Sequence, residues 1–232
     1  MSTRSVIIDA TAELLAQSPG GDISTRAVCE AAGVQQPVIY RLFGDKEGLL
    51  AATVDQVWDQ YLGMKRAAEE SADPLSDLRA GWDSHNAFAL AQPNAYRLLF
   101  GSGSVAKAES ANEAMRLLQS VLERLAAQGR LRVAPEIAAR VVMAANTGVA
   151  LALILRPALY PDPAISSMMR DIVLGGLVSD TAPAPDAGES ARIAAITLRT
   201  SRPTLPPALF TGREAGLLDE WLERIQSSSP SD

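Results

Sequence analysis

Between Gln35 and Lys46 the chain carries side chains able to read a polyanion with ordered base edges. Gln35 and Gln36 each present an amide that can pair bidentately with adenine, and Pro37 and Val38 offer apolar contact to a thymine methyl. Tyr40 and Arg41 can reach phosphates or bases. Lys46 falls in the first turn of a helix, where the macrodipole disfavours a cation by a few tenths of a kcal/mol. A nearby anion accounts for that placement, and the free amides of the helix start, with Lys46 beside them, make a phosphate clamp.

Such residues need a short helix seated on an apolar base, and the spacing supplies one. Val6, Ile7, Ala10, Leu14 and Leu15 recur at helical spacing over residues 3–17, and Ser18-Pro19-Gly20-Gly21 ends that helix. Ser24 suits the cap of a second helix, Thr25 to Ala32, which Gly33 closes. Pro37 opens a third helix, Gly44 ends it, and Asp45 caps a long fourth one through Leu49, Val54, Trp58, Tyr61 and Leu62. Ile39 and Phe43 can pack on Val28, Ala32 and Val34, turning Gln35, Gln36, Pro37, Val38, Tyr40 and Arg41 toward another face. Spacing alone fits an αα-hairpin in a bundle as well as a helix-turn-helix. The residue types on the outer face favour the second.

Beyond Pro74 the pattern predicts helices at about 74–91, 93–100, 105–128, 135–156 and 163–178. A stretch rich in Pro, Asp and Ser follows from Ser179, then weaker helices at about 189–200 and 212–226 and a disordered tail, SSSPSD. No strand alternation competes, so the expected fold is all-α. The 232 residues are 47% apolar, ample for a packed core, and the net charge of −6 excludes a broadly basic polyanion binder. In the first fifty residues Arg4, Arg26, Arg41 and Lys46 stand against Asp9, Glu13, Asp22, Glu30, Asp45 and Glu47. Any nucleic-acid affinity must come from a few aimed cations and fall steeply with salt.

One histidine and one cysteine leave no metal cage and no internal disulfide. Cys29 reads as a small buried hydrophobe. Glu69-Glu70 and Asp219-Glu220 are adjacent pairs whose side chains diverge on a helix, and there is no Gly-rich phosphate loop. We therefore expect no metal, no cofactor and no enzymatic activity. Val141 to Leu155, interrupted by Asn146 and Thr147, is shorter than the roughly 18–20 residues of a bilayer span, so a buried helix and no membrane partner are expected. The start MSTRSVIIDA lacks a leader pattern, which places the expectation in the cytoplasm.

The segment ISTRAVCEAAGVQQPVIYRLFGDKEGLL resembles the DNA-binding region of TetR-type bacterial transcriptional regulators. The resemblance rests on Ser24 as a cap, the turn Ala32-Gly33-Val34, Tyr40 within the third helix, Phe43 before a small loop, Lys46, and the pair Leu49-Leu50. It covers about residues 3–62; beyond them, the helical pattern and the turn Gly129-Arg130-Leu131-Arg132 resemble the family's sensing half. It implies a helix-turn-helix domain over 1–48 and a ligand-binding and dimerisation bundle over 49–180, while composition and pattern mark 181–232 as a linker with a helical extension. By the same resemblance, Thr25, Tyr40 and Lys46 lie on phosphates, and Arg26, Gln35, Gln36, Pro37 and Val38 face bases of a double-stranded DNA operator. Many relatives carry Ser-Lys-Gly where this chain has Gln35-Gln36-Pro37, so base preference does not transfer.

The helices that line the family's cavity would bring Trp82, His85, Phe88, Phe100, Met115, Leu118, Met143 and Asn146 to a small, mainly apolar effector. The same residues fit a packed core, and His85 fits a buried histidine with an internal partner. Val142, Ala145, Val149, Leu153, Ile172 and Leu177 fit either core or subunit interface, and a homodimer on a palindromic operator favours interface. The expectation is a ligand-responsive repressor. The alternatives are an α-helical enzyme or small-molecule carrier without DNA binding, and an interaction scaffold using the helix at 212–226.

Overall fold

The computed structural model describes residues 2–101, 108–179, 187–206 and 209–227. Among them the chain is helical without a strand: α1 (Thr3–Gln17), α2 (Thr25–Ala32), α3 (Gln36–Phe43), α4 (Lys46–Ala67), α5 (Pro74–Ala91), α6 (Pro93–Phe100), α7 (Ala108–Ala127), α8 (Pro135–Leu155), α9 (Ile165–Leu177), α10 (Ala187–Ser201), a 3₁₀ turn (Arg202–Thr204) and α11 (Gly212–Ser227). Most of the linker read from composition, 180–186, and most of the tail, 228–232, lie outside the described residues; Ala187 to Ser190 already belong to α10.

Local chemistry sets the first helix ends. Ser2 accepts from the Ser5 amide at 3.1 Å and Ser24 from the Ala27 amide at 3.1 Å, each satisfying an otherwise unpaired donor of a first turn. Gly33 closes α2 at φ +66°, a left-handed conformation in which a side chain would be strained. α3 starts at Gln36, one residue before the expected Pro37, whose missing amide proton still falls in the unpaired first turn.

The chain falls into two compact units. The first comprises Met1–Glu69, Asp83–Ala114 and Thr147–Ser166. Its N-terminal part is built on Ile7, Ile23, Val28, Ile39 and Leu49, with Ala32, Val34, Val38, Leu42 and Phe43 packed around them. α1 packs on α2, α4 and α6, and α4 also packs on α3 and α6. Polar ties fix these helices. Gln56 Nε2 donates to Asp9 Oδ1 at 2.7 Å, joining α4 to α1. Arg4 Nη1 donates to the Leu42 carbonyl at 3.0 Å while its guanidinium lies 4.5 Å from the Phe43 ring centroid, so α1 holds the C-terminal end of α3.

The second unit comprises Glu70–Trp82, Met115–Asn146 and Ser167–Asp232. Leu122, Leu125, Ala126, Leu131, Ala138, Ala139 and Val142 are buried in it. Arg124 pairs with Asp77 at 2.8 Å and Arg130 with Asp73 at 3.0 Å. The Arg132 amide donates to the Leu177 carbonyl at 2.9 Å and the Ser179 amide to the Arg130 carbonyl at 2.8 Å. α10 packs on α11, Ala195, Ile196 and Leu222 on these helices are buried, and Arg202 and Asp219 pair at 2.8 Å.

α8 is 21 residues long and apolar enough by composition to cross a bilayer. Its Ala138, Ala139, Val142, Asn146, Val149 and Ala150 are buried within the protein, so one face of α8 lies in the core while Ile137, Val141 and Leu155 are exposed. The same burial corrects the expected interface face: Val142, Val149, Leu153 and Leu177 are core, Ala145 is half-buried, and only Ile172, at 67% exposure, turns outward. The outward apolar residues of α8 and α9 within the second unit are instead Ile137, Val141, Met168 and Ile172. The apolar runs are broad enough that sequence periodicity does not choose among rotations of the helix.

Candidate nucleic-acid interface

α2 and α3 are joined by the turn at Gly33 and form a helix-turn-helix, with Ile39 fully buried under α3 and Gln35, Gln36, Pro37, Tyr40 and Arg41 exposed on its outer side. Val38 is divided between roles: it is half-buried and packs on the aliphatic core, so only part of it is open to a ligand. Thr25 and Lys46 are half-buried at the starts of α2 and α4, and Arg26 is exposed. Cys29 is a half-buried free thiol packed against the same core.

The polar groups of this surface are largely paired with one another. Gln36 Nε2 donates to Tyr40 Oη at 3.3 Å, one helical turn away. Arg26 Nε meets Glu30 Oε1 at 3.0 Å. Lys46 Nζ lies 2.6 Å from Asp22 Oδ1, and that lysine holds the Asp22 carboxyl below the usual carboxylate range by its hydrogen bond and its charge. Asp45 Oδ1 accepts from the Gly48 amide at 2.7 Å. The start of α4 therefore already holds two carboxylates, and a phosphate there competes with Asp22 for Lys46. Arg41 is exposed and shows no such side-chain pairing among the described residues.

A second tie to this module was not visible in the sequence. Asn94, buried at the start of α6, donates through Nδ2 to the Leu15 carbonyl at 2.8 Å and the Ser18 carbonyl at 2.7 Å, closing the end of α1. Gly21 stands at φ +75°, and a Cβ there would lie 2.9 Å from Asn94 Oδ1. Nothing in the local pattern of Pro93-Asn94 signals a partner seventy-nine positions away.

Of the eight residues expected to line an effector pocket, the first unit gathers His85, Phe88 and Phe100 in one cluster, with Trp58, Tyr61 and Tyr96. Ring centroids are 4.5 Å apart for Tyr61 and Phe88, 4.6 Å for Tyr96 and Phe100 and 5.0 Å for Trp58 and Tyr61, so the rings are in mutual contact. His85 Nδ1 lies 3.4 Å from Tyr61 Oη and Nε2 lies 2.7 Å from Tyr96 Oη. Burial, aided by the Lys65 charge, depresses His85 to about 4, and burial raises both tyrosines. The ring is neutral at pH 7, accepting from one hydroxyl and donating to the other. Lys65, 5.5 Å from the Tyr61 ring centroid, is lowered by burial to about 8.

In the second unit Trp82 and Asn146 are buried and joined, Asn146 Nδ2 donating to the Trp82 carbonyl at 3.4 Å, while Met115, Leu118 and Met143 are half-buried. Trp58, Tyr61 and Tyr96 join the aromatic cluster without having been expected there. Their signal was present as an i, i+3 pair on α4 and a Tyr96–Phe100 i, i+4 pair on α6.

Residues 7–53 match the model of bacterial regulatory proteins, tetR family. An HTH-type transcriptional regulator BetI from Paraburkholderia phytofirmans is 36% identical over 81 residues, 33% of this chain and 40% of that protein. The match thus spans well under half the length of this curated relative. Among solved structures, a TetR-family transcriptional regulator from Pectobacterium atrosepticum superposes with a TM-score of 0.65 at 21% identity, over 77% of this chain and 95% of that one. NalD, the secondary repressor of the MexAB-OprM multidrug efflux pump in Pseudomonas aeruginosa, gives 0.54 at 23% identity, over 77% and 97%. FadR from Bacillus subtilis, in complex with stearoyl-CoA, gives 0.61 at 17% identity, over 74% and 98%. Residues 7–53 thus resemble bacterial regulatory proteins of the tetR family, and the chain shares the all-α fold of the solved regulators it superposes on.

Proposed function

We propose that the chain is a ligand-responsive transcriptional repressor that binds a palindromic double-stranded DNA operator as a homodimer and is released by a small, mainly apolar effector. The observation that carries this reading is α3 itself: sealed on its underside by Ile39, it offers Gln35, Gln36, Pro37, Tyr40 and Arg41 outward from a segment matching a DNA-binding family. In this reading residues 1–48 read DNA, 49–180 bind effector and pair subunits, and 181–232 form an extension. The protein works in the cytoplasm and catalyses nothing, in keeping with relatives named as regulators.

Thr25, Tyr40 and Lys46 contact phosphates, which fix register, and Arg26, Gln35, Gln36, Pro37 and Val38 meet base edges. The outward residues Ile137, Val141, Met168 and Ile172 supply the subunit contact, since exposed apolar side chains on successive helices gain most by meeting their own copy across a two-fold axis. Two recognition helices must meet major grooves about 34–36 Å apart, so a small change in their spacing forfeits one half-site. The aromatic cluster of the first unit, with His85, Phe88 and Phe100, is the effector region. Because its rings touch, an effector acts by selecting a state in which they part, and its differential affinity for the two states limits the switch.

Binding to duplex DNA over a salt series tests the reading. The expected result is an operator complex that weakens as salt rises, with Gln36→Ala losing about 1–3 kcal/mol of discrimination at one symmetric pair of positions. Identical ranking of all single-base variants by both proteins removes Gln36 as a reader. Absence of any duplex binding at low salt overturns the function.

A further inference from the structure

The pairing of the one lysine of the DNA-facing module goes beyond its assignment to a phosphate. Asp22 lies in the loop between α1 and α2, where its carbonyl accepts from Ser18 Oγ at 2.9 Å, and its carboxylate stands 2.6 Å from Lys46 Nζ. The lysine side chain is 35% exposed and that of the aspartate 89%, so the cation is partly packed while its counter-charge faces solvent. Asp22 is ionised at neutral pH as any ordinary aspartate is, and Lys46, by its hydrogen bond and charge, holds it further below the usual carboxylate range. The other carboxylates of this corner are Asp45, engaged by the Gly48 amide, and Glu47 in the first turn of α4.

We propose that Asp22 is an affinity-lowering competitor for Lys46: it occupies the lysine in the free protein, so that capture of a DNA phosphate exchanges one anion for another. This inference rests on the DNA-binding reading above and adds a residue to it. The cost of the exchange falls on every duplex alike. It lowers affinity for random DNA and for an operator by the same factor and leaves their ratio unchanged. The exchange also flattens the salt response. Binding releases a cation from DNA, but the freed Asp22 takes one up.

The experiment uses the full chain, a scrambled duplex and an operator recovered by selection, with affinities over a salt series for wild type, Asp22→Asn, Lys46→Ala and the double variant. Asp22→Asn should tighten binding to both duplexes by the same factor, about 2- to 5-fold per DNA-bound module, the range of an exposed ion pair. It should also steepen the logarithmic salt slope by up to about one per module. In the Lys46→Ala background the gain should fall by more than half. Asp22→Ser, checked for folding by circular dichroism, repeats the test without an amide. No gain from either substitution, or an undiminished gain without Lys46, overturns the inference and leaves the DNA-binding reading intact. Failure of the wild type to bind either duplex overturns that reading, and the inference with it.

Discussion

The core beneath α3 is aliphatic and keeps its polar groups outside, whereas the cluster formed by α4, α5 and α6 is aromatic and keeps polar groups inside. Under α3, Ile7, Val28 and Ile39 need no hydrogen-bond partner, so the surface above them is free to carry amides and cations chosen for a ligand. In the aromatic cluster His85 must satisfy both ring nitrogens from Tyr61 and Tyr96, and each ring is fixed by its neighbours. A site displayed on a self-sufficient core tolerates substitution of its working residues. A site made of the core does not, so stability and function should separate in the first region and remain joined in the second.

The hardest blow to that contrast comes from Trp58→Ala. It empties the middle of the aromatic cluster and should cost about 3–5 kcal/mol, measured by denaturant unfolding. A loss no larger than that of a surface change would mean the cluster is not a packed core. Acid sharpens the contrast next. The folded His85 titrates near 4, against an ordinary value of 6.5. Between those values the unfolded chain takes up a proton that the native one refuses, so stability falls as pH drops through this window. The loss approaches roughly 3 kcal/mol below pH 4. His85→Gln should flatten that part of the stability curve, and an unchanged slope would contradict the burial of the ring.

Asn94→Ala should cost about 1–3 kcal/mol by leaving the Leu15 and Ser18 carbonyls without their donor, and hydrogen exchange should quicken at the end of α1. Unaltered exchange there would show that water replaces the amide without penalty. The smallest effect belongs to the outer face: Tyr40→Phe and Gln36→Ala should change unfolding free energy by less than about 0.5 kcal/mol. A large stability loss from either would join the two properties that the aliphatic plan keeps apart.

The same difference explains what the sequence could disclose. The α1 and α2 boundaries, the turn at Gly33 and the outward placement of Gln36 and Tyr40 follow from caps and periodicity within a few residues, so they could be read in advance. The Asn94 tie to α1, the His85 bridge between tyrosines and the Lys46 pairing with Asp22 join residues 11 to 79 positions apart. Those contacts are set by packing, which no local pattern encodes. The rotation of α8 was illegible for a further reason: with Ile137, Val141 and Val142 all apolar, its inner and outer faces differ by shape rather than polarity.

Selection of bound sites from random duplex DNA by the full chain, followed by sequencing, tests the central claim most directly. The account predicts an inverted repeat with half-site centres about 10 base pairs apart. A parallel selection with Gln36→Ala should relax one symmetric pair of positions and leave the spacing unchanged. Recovery of no enriched sequence, or of an enriched sequence without two-fold symmetry, would contradict a dimeric reader built on α3.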